Sequence, residues 1–419
     1  MTAPPRPATA RARFFAAGGP GRAKLPRDIK VMLAAAFLIA LGFGLVAPVL
    51  PQFATTFDVG ATAAAVIVSI FALMRLVFAP AGGALIGRLG ERPVYVAGLL
   101  IVAASTAACA FAQDYWQLLV FRGLGGAGSV MFTVASMALV IRLAPPESRG
   151  RVSGAYASAF LIGNVCGPIV GGMLAGFGLR IPFLAYAAAL VLAAIVVQTQ
   201  LSHVPGSSRL AGSSSPDMKL GEALGDGAYR AALFSSFANG WATFGVRMAT
   251  VPLFAVAALG SGPGAAGLAL AVFAAGNALA LTFSGRLADS LGRRPMMISG
   301  LFVTGISTAA IGLTHNLGWF LVASAIAGIG SGLLSPAQQA AIADVIGRDR
   351  SGGRVLAVYQ MTADIGAIIG PVLAGLLADR LGYGWAFAVT GGVLLASAAA
   401  WSLVREPMHR TSDTGAPPN

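Results

Sequence analysis

Asp364 is the one acid, of fifteen Asp and Glu, that sits well inside an apolar stretch. An ionisable group at such depth costs roughly 3 kcal/mol or more unless paired, so it marks a functional position. Gln360, Asp364 and Ile368 recur at four-residue spacing and share one helical face, with Gly366 and Gly370 roughly opposite. Arg75, Arg122 and Arg247 also interrupt apolar stretches. A carboxylate beside a guanidinium can bind and release a proton as the pair is broken and made. His203, His315 and His409 fall in loops or a tail, and no metal-ligand spacing or nucleophile triad occurs. Cys109 and Cys166 lie in apolar runs and read as buried free thiols. The chemistry on offer is proton binding and ligand recognition. No enzyme activity, cofactor or metal is expected.

Composition says what must position these groups. Of 419 residues, 57% are hydrophobic and 10% charged, against about 25% charged in soluble proteins. Mean hydropathy is +0.79. Such a chain cannot cover itself with polar groups, so its solvent is a lipid bilayer. The 55 glycines suit close helix packing there. A net charge of +13 would otherwise suggest nucleic acid. Here the basic residues sit in short turns and the N-terminal tail, with no stripe interleaved with aromatics, so no nucleic-acid partner is expected.

The expected fold is all-α and integral to the membrane. Twelve apolar segments span 31–57, 62–87, 93–112, 116–143, 151–177, 182–201, 229–258, 263–290, 294–314, 317–345, 354–379 and 383–404. Each is near or above the ~20 residues a spanning helix needs. The first exceeds the about 7–15 apolar residues of a signal peptide, so it reads as a retained helix. Residues 1–29 and 405–419 read as cytoplasmic tails, the first disordered. Residues 30–201 and 229–404 read as six-helix halves, and 202–228 as a polar cytoplasmic linker. Of 28 Lys and Arg, only Arg180 and Arg380 fall in loops opposite the N-terminus; apart from the three arginines within spans, the rest lie on its side. The positive-inside rule then puts both termini in the cytoplasm.

The halves repeat. Gly83-Ala-Leu-Ile-Gly-Arg-Leu-Gly-Glu-Arg-Pro93 returns as Gly285-Arg-Leu-Ala-Asp-Ser-Leu-Gly-Arg-Arg-Pro295, 202 positions later. Leu119 to Ser129 aligns with Leu321 to Ser331, again at 202, and Gly167-Pro168 with Gly370-Pro371 at 203. Two homologous halves around a central cavity, related by an axis along the membrane normal, follow from this.

At this point the sequence resembles the major facilitator superfamily, over about residues 31–404. Both loop copies resemble the signature between its second and third helices. Gly285, Asp289, Gly292, Arg293 and Arg294 match it; the first copy has Gly83, Arg88, Gly90 and Arg92 but Gly87 in place of the acid. The resemblance implies that these loops latch the halves together on the cytoplasmic side, with Asp289 accepting from the amides that begin the fifth helix. The basic residues would otherwise only enforce topology. Arg122-Gly-Leu-Gly-Gly-Ala-Gly128 resembles the family's arginine-bearing fourth-helix motif, with Gly125 where glutamine is usual. Gly154, Gly163, Gly167-Pro168 and Gly171-Gly172 look like the antiporter motif of the family's drug and metabolite exporters. Gly163, Gly167 and Gly171 make a smooth face for another helix, and Pro168 bends the chain there. A packing groove without influence on transport direction is the other reading. Pro48-Val-Leu-Pro51 is also seen in that exporter group. The first helix lacks the acid that many drug–proton antiporters carry.

Family helices two and eleven are neighbours, and Arg75 and Asp364 lie at depths within about 3 Å of each other. The pair would either couple protons or form a static bridge. Family helices one, four, seven and ten line the cavity. Candidate lining residues are Arg122, Ser129, Thr133 and Ser136; Thr243 and Arg247; Ser335, Gln338 and Gln339; and Gln360. The hydroxyls among them would otherwise serve packing. The resemblance implies a monomeric, multi-pass protein of a bacterial plasma membrane that exchanges a small molecule for protons; the buried charges of this chain itself put Asp364, Arg75 and Arg122 forward for proton coupling. Arginines in the cavity disfavour strongly cationic compounds. The alternatives are an uptake symporter or facilitator and, in another class, a transporter-like sensor or lipid-handling protein.

Overall fold

The structure, a computed structural model, describes residues 26–143, 149–201, 218–347 and 352–404. Most of the two tails and of the linker therefore lies outside the described residues. Among the described residues, twelve helices are long and apolar enough to cross a membrane. They are α1 (Arg27–Val46, resumed by Leu50–Thr55), α2 (Ala61–Leu89), α3 (Glu91–Ala110), α4 (Tyr115–Leu143), α5 (Arg149–Ala175), α6 (Ile181–Gln200), α7 (Gly227–Ala257), α8 (Pro263–Leu291), α9 (Arg293–Ile311), α10 (Leu317–Ile346), α11 (Gly353–Leu381) and α12 (Tyr383–Leu403). Two boundaries differ from the sequence reading. α1 begins at Arg27, inside the stretch read as a tail, and a short helix, Leu220–Gly225, and the start of α7 occupy the end of the presumed linker.

Local chemistry explains the interruptions. Pro48 and Pro51 break the end of α1, and the Gln52 side-chain amide donates to the Pro48 carbonyl at 2.7 Å, meeting an acceptor left over there. Gly90 (φ 85°) and Gly292 (φ 91°) end α2 and α8 in a left-handed turn that favours glycine. These are the same motif position in the two halves. α7 is composite: Gly240–Val246 is a π-helical turn between two α-helical pieces. Such turns are rare and frequently found at functional sites.

The halves pack alike. In the first, α1 lies on α5, α2 and α3 on α4, and α3 on α6; in the second, α7 lies on α11, α8 and α9 on α10, and α9 on α12. The match extends to backbone contacts. A Cβ on Gly98 would come 2.8 Å from the Gly128 carbonyl, and one on Gly300 2.9 Å from that of Gly330.

Between the halves, α2 meets α11 and α5 meets α8. We call the side where α1 begins and α12 ends the near face. Both seams close at the far face: Ser69 donates to Ile368, Gly375 abuts Thr62, and Gly172 abuts Gly264 and Gly267. Toward the near face, residues of the same four helices, among them Arg88, Gly154, Arg286 and Arg354, are exposed. The halves thus meet at the far face and part toward the near face.

Candidate functional site

The seam between α2 and α11 brings the sequence-selected pair together. Asp364, half-buried midway along α11, lies within electrostatic reach of Arg75 on α2. The two make no direct salt bridge among the described residues. The π-helical turn of α7 lies beside the acid. A Cβ on Gly240 would come 2.7 Å from the Ala363 carbonyl carbon, and Gly366 and Gly370 pack against Phe237 and Trp241. The Trp241 indole donates to the Thr390 hydroxyl at 3.1 Å, fixing the turn against α12. Asp364 is therefore held between a rigid contact within its own half and a charge on the other half. Gln360, one turn away, is exposed.

Two further guanidinium groups are buried. Arg122 is 7% exposed and Arg247 3%. Arg122 lies over the Phe71 ring at 4.1 Å and Arg247 over the Phe273 ring at 3.4 Å. Phe71 and Phe273 are equivalent positions of the repeat, 202 apart. The arginines are not equivalent: one comes from α4, the other from α7. Ser324, at the position matching Arg122, is fully buried, its small side chain standing where the first half has a guanidinium. The second half thus restores the charge from a different helix. Cation–π stacking is worth about 2 kcal/mol when desolvated. It leaves Nε of Arg122, and Nε and Nη1 of Arg247, without a hydrogen-bond partner in the structure. A buried guanidinium without a carboxylate is costly. The repeat of the arrangement was not visible in the sequence, although the spacing of Phe71 and Phe273 carried it.

The other lining candidates are more dispersed. Thr133 donates to Ser129 at 2.8 Å, Ser136 to Thr133 at 2.9 Å and Ser335 to Ser331 at 3.0 Å, all onto their own helix backbones. Ser136 also accepts from the Tyr156 hydroxyl at 3.2 Å, joining α4 to α5. Thr243 donates to the Asn239 side chain at 2.9 Å. Gln338 is buried and donates to the Ser235 hydroxyl on α7 at 3.2 Å, whereas Gln339 is exposed. Of the cysteines, Cys109 is buried and Cys166 only half-buried.

The glycine motif of α5 packs chiefly within its own half. Cβ atoms on Gly163 and Gly167 would come 2.7 Å from Ala40 and Gly44 of α1, and Gly171 abuts Leu45. Gly44 in turn abuts Pro168. Gly172 instead faces α8 across the seam, while Gly154 and Gly285 have open space beside them. In the loop motifs, Arg92 donates to the Gln198 carbonyl, Arg294 to those of Trp401 and Ser402, and Arg293 pairs with Asp344. These motif arginines bind their own halves. Arg88 is exposed, and the side chain of Asp289 and the surroundings of Gly83 lie outside the described residues.

The comparisons agree with this architecture. Solved structures share the fold. They include a bacterial homologue of the human lysosomal transporter Spinster (TM-score 0.70, 18% identity, 91% of this chain and 96% of that one). A D-xylose–proton symporter also matches (TM-score 0.73, 16% identity, 90% and 98%). Among curated proteins, multidrug resistance protein 2 of Bacillus subtilis is 26% identical over 393 residues, 87% of this chain and 92% of that one. Quinolone resistance protein NorA of Staphylococcus aureus is 28% identical over 194 residues, 46% of this chain and 50% of NorA, so this match spans half of that relative's length. A single family model matches residues 32–246 and again 232–418, once for each half. With twelve spans, two repeated halves and a charged seam between them, the chain belongs to the Major Facilitator Superfamily, whose members are transporters and not enzymes.

Proposed function

We propose that this transporter exports a small organic molecule, a drug or metabolite, in exchange for protons, by alternating access in a bacterial plasma membrane. One observation carries the reading: Asp364 lies on the seam between the halves, within electrostatic reach of Arg75 and with no salt bridge to it. Rocking of the halves changes the distance between the two, so proton affinity at Asp364 follows conformation. The resistance proteins among its relatives support export of drug-like compounds. The glycine face of α5 supports the same direction. The near face is cytoplasmic, because nearly all loop Lys and Arg lie there. Arg122 and Arg247, buried with no carboxylate partner among the described residues, favour neutral or anionic compounds over strongly cationic ones.

The test is a proteoliposome assay with an imposed pH gradient and a panel of dyes, antibiotics and organic acids. Export predicts gradient-driven movement of compound against the proton flow. Movement with the protons would make the protein a symporter, and indifference to the gradient a facilitator. Orientation is tested separately: a Gln113→Cys variant should react with an impermeant maleimide in intact cells, and Glu222→Cys should not.

A further inference from the structure

α2 begins without a cap of its own. Gly60 precedes it and offers no side chain to the first-turn amides, which every helix start leaves unsatisfied. The cap comes from the other half. Asp379, in the last turn of α11, accepts from the Ala61 amide at 2.8 Å, the Thr62 amide at 2.8 Å and the Thr62 hydroxyl at 2.5 Å. Both carboxylate oxygens are engaged. The helix dipole favours negative charge at this point, and bonds to a charged acceptor are stronger than neutral ones. The backbones leave no slack beside it: a Cβ on Gly375 would come 2.7 Å from Thr62 Cα.

The matching place in the repeat has no such cap. At the 203-residue offset of α5 and α11, Asp379 corresponds to Gly176, which has no side chain to offer, and Ala61 corresponds to Pro263, which has no amide hydrogen to give. The fold of the halves therefore does not require this acid. It is present on one of the two seams only, and it bridges the halves at the face where they meet.

We infer that Asp379 is a gating residue: a helix cap supplied across the seam that holds the outer mouth shut and must be released each time the transporter opens outward. Opening separates the start of α2 from the end of α11 and returns the two amides and the carboxylate to water. The strength of the cap sets the ratio of outward-open to inward-open molecules. The inference rests on the alternating-access part of the proposed function alone, not on export or proton coupling.

Distances between spin labels test it without any substrate. Labels at Gln113→Cys and His315→Cys, in a Cys109→Ala, Cys166→Ser background, report the far-face separation of the halves in nanodiscs. Asp379→Ala removes both acceptors. Asp379→Asn keeps the size but puts an amide donor against a backbone donor. Thr62→Val removes the hydroxyl bond alone. The expected result is a rise in the ratio of long to short distances, about tenfold for Asp379→Ala and smaller for Thr62→Val. Unchanged distributions in the folded variants, or a shift toward shorter distances, would overturn the inference. If Asp379→Ala does not fold, Asp379→Asn and Thr62→Val decide by the same criterion. Absence of transport in the vesicle assay would count against export and leave this measurement untouched.

Discussion

Asp364 and Arg75 belong to different halves, so the energy between them changes whenever the halves move. Asp364→Asn keeps the size and polarity of the side chain but cannot carry a proton. Gradient-driven accumulation should vanish in vesicles, while binding or exchange of substrate persists. A static bridge predicts another pattern: each single substitution loses several kcal/mol of stability because the partner is stranded, and Arg75→Gln with Asp364→Asn restores it. The gap between the side chains predicts instead that Arg75→Gln folds with a loss of about 1 kcal/mol or less, read by thermal unfolding. If only the double variant folds and it still transports with the pH gradient, the proton site lies elsewhere. Arg247 poses a different question. Its stack on Phe273 does not replace the solvation it has lost. Arg247→Gln should therefore raise the melting temperature and reduce transport of anionic compounds more than of neutral ones; a fall in both stability and all transport would mark it as structural. Asp364 was legible in the sequence because an acid inside an apolar run is rare. Asp379 was not, since a charge at the end of a spanning helix is ordinary and its partners lie more than 300 positions away.

The α5 helix shows how one element serves two interfaces. The smooth face formed by Gly163, Gly167 and Gly171 was readable from four-residue spacing, but its partner was not. The structure gives α1, whose Gly44 completes the contact, and leaves Gly172 for α8. Substitutions on the two faces should differ in kind. Gly167→Leu places a branched side chain where backbone already lies, so the α1–α5 contact opens. Overpacking of this sort costs about 1–3 kcal/mol, and transport should be lost with partial loss of folded protein. Gly172→Leu acts on the seam, where a Cβ would come 3.2 Å from Gly264 Cα. It should leave the first half intact and wedge the far face apart. Spin-label distances across the far face should lengthen for Gly172→Leu and stay unchanged in the folded fraction of Gly167→Leu. Equal behaviour of the two variants would show that the faces are not separate. Nothing in the sequence marks the π-helical turn of α7, because one extra residue per turn does not disturb the composition of an apolar run.

The twelve spans and the repeat were legible almost residue by residue, since a bilayer forces long apolar helices and the loop motifs return at a fixed spacing. What the repeat hides is that equivalent places carry opposite charge. Glu91 and Arg142 pair at 2.8 Å in the first half, with side chains 21% and 23% exposed. Their equivalents at 202 positions, Arg293 and Asp344, pair with the signs exchanged. The two arrangements are not equal in energy. Glu91 begins α3 and Arg142 lies in the last turn of α4, where the helix dipoles favour an anion and a cation respectively. Arg293 begins α9 and Asp344 lies near the end of α10, so both oppose their dipoles. Each such placement is worth about 0.3–1 kcal/mol at exposed sites. A single reversal, Glu91→Arg, puts like charges face to face and should cost about 1 kcal/mol or more. The double exchange Glu91→Arg with Arg142→Glu should recover the pairing but stay less stable than the parent. In the second half the same operation, Arg293→Glu with Asp344→Arg, should raise the melting temperature, because pairing is kept and both dipole terms change sign. Both double exchanges leave the count of positive charges on the near face unchanged, so orientation should not shift. Thermal unfolding of the two exchanges in detergent decides the matter: opposite shifts are expected. A fall in stability for both would show that the reversed pair in the second half is held by contacts other than the dipoles and the pair itself.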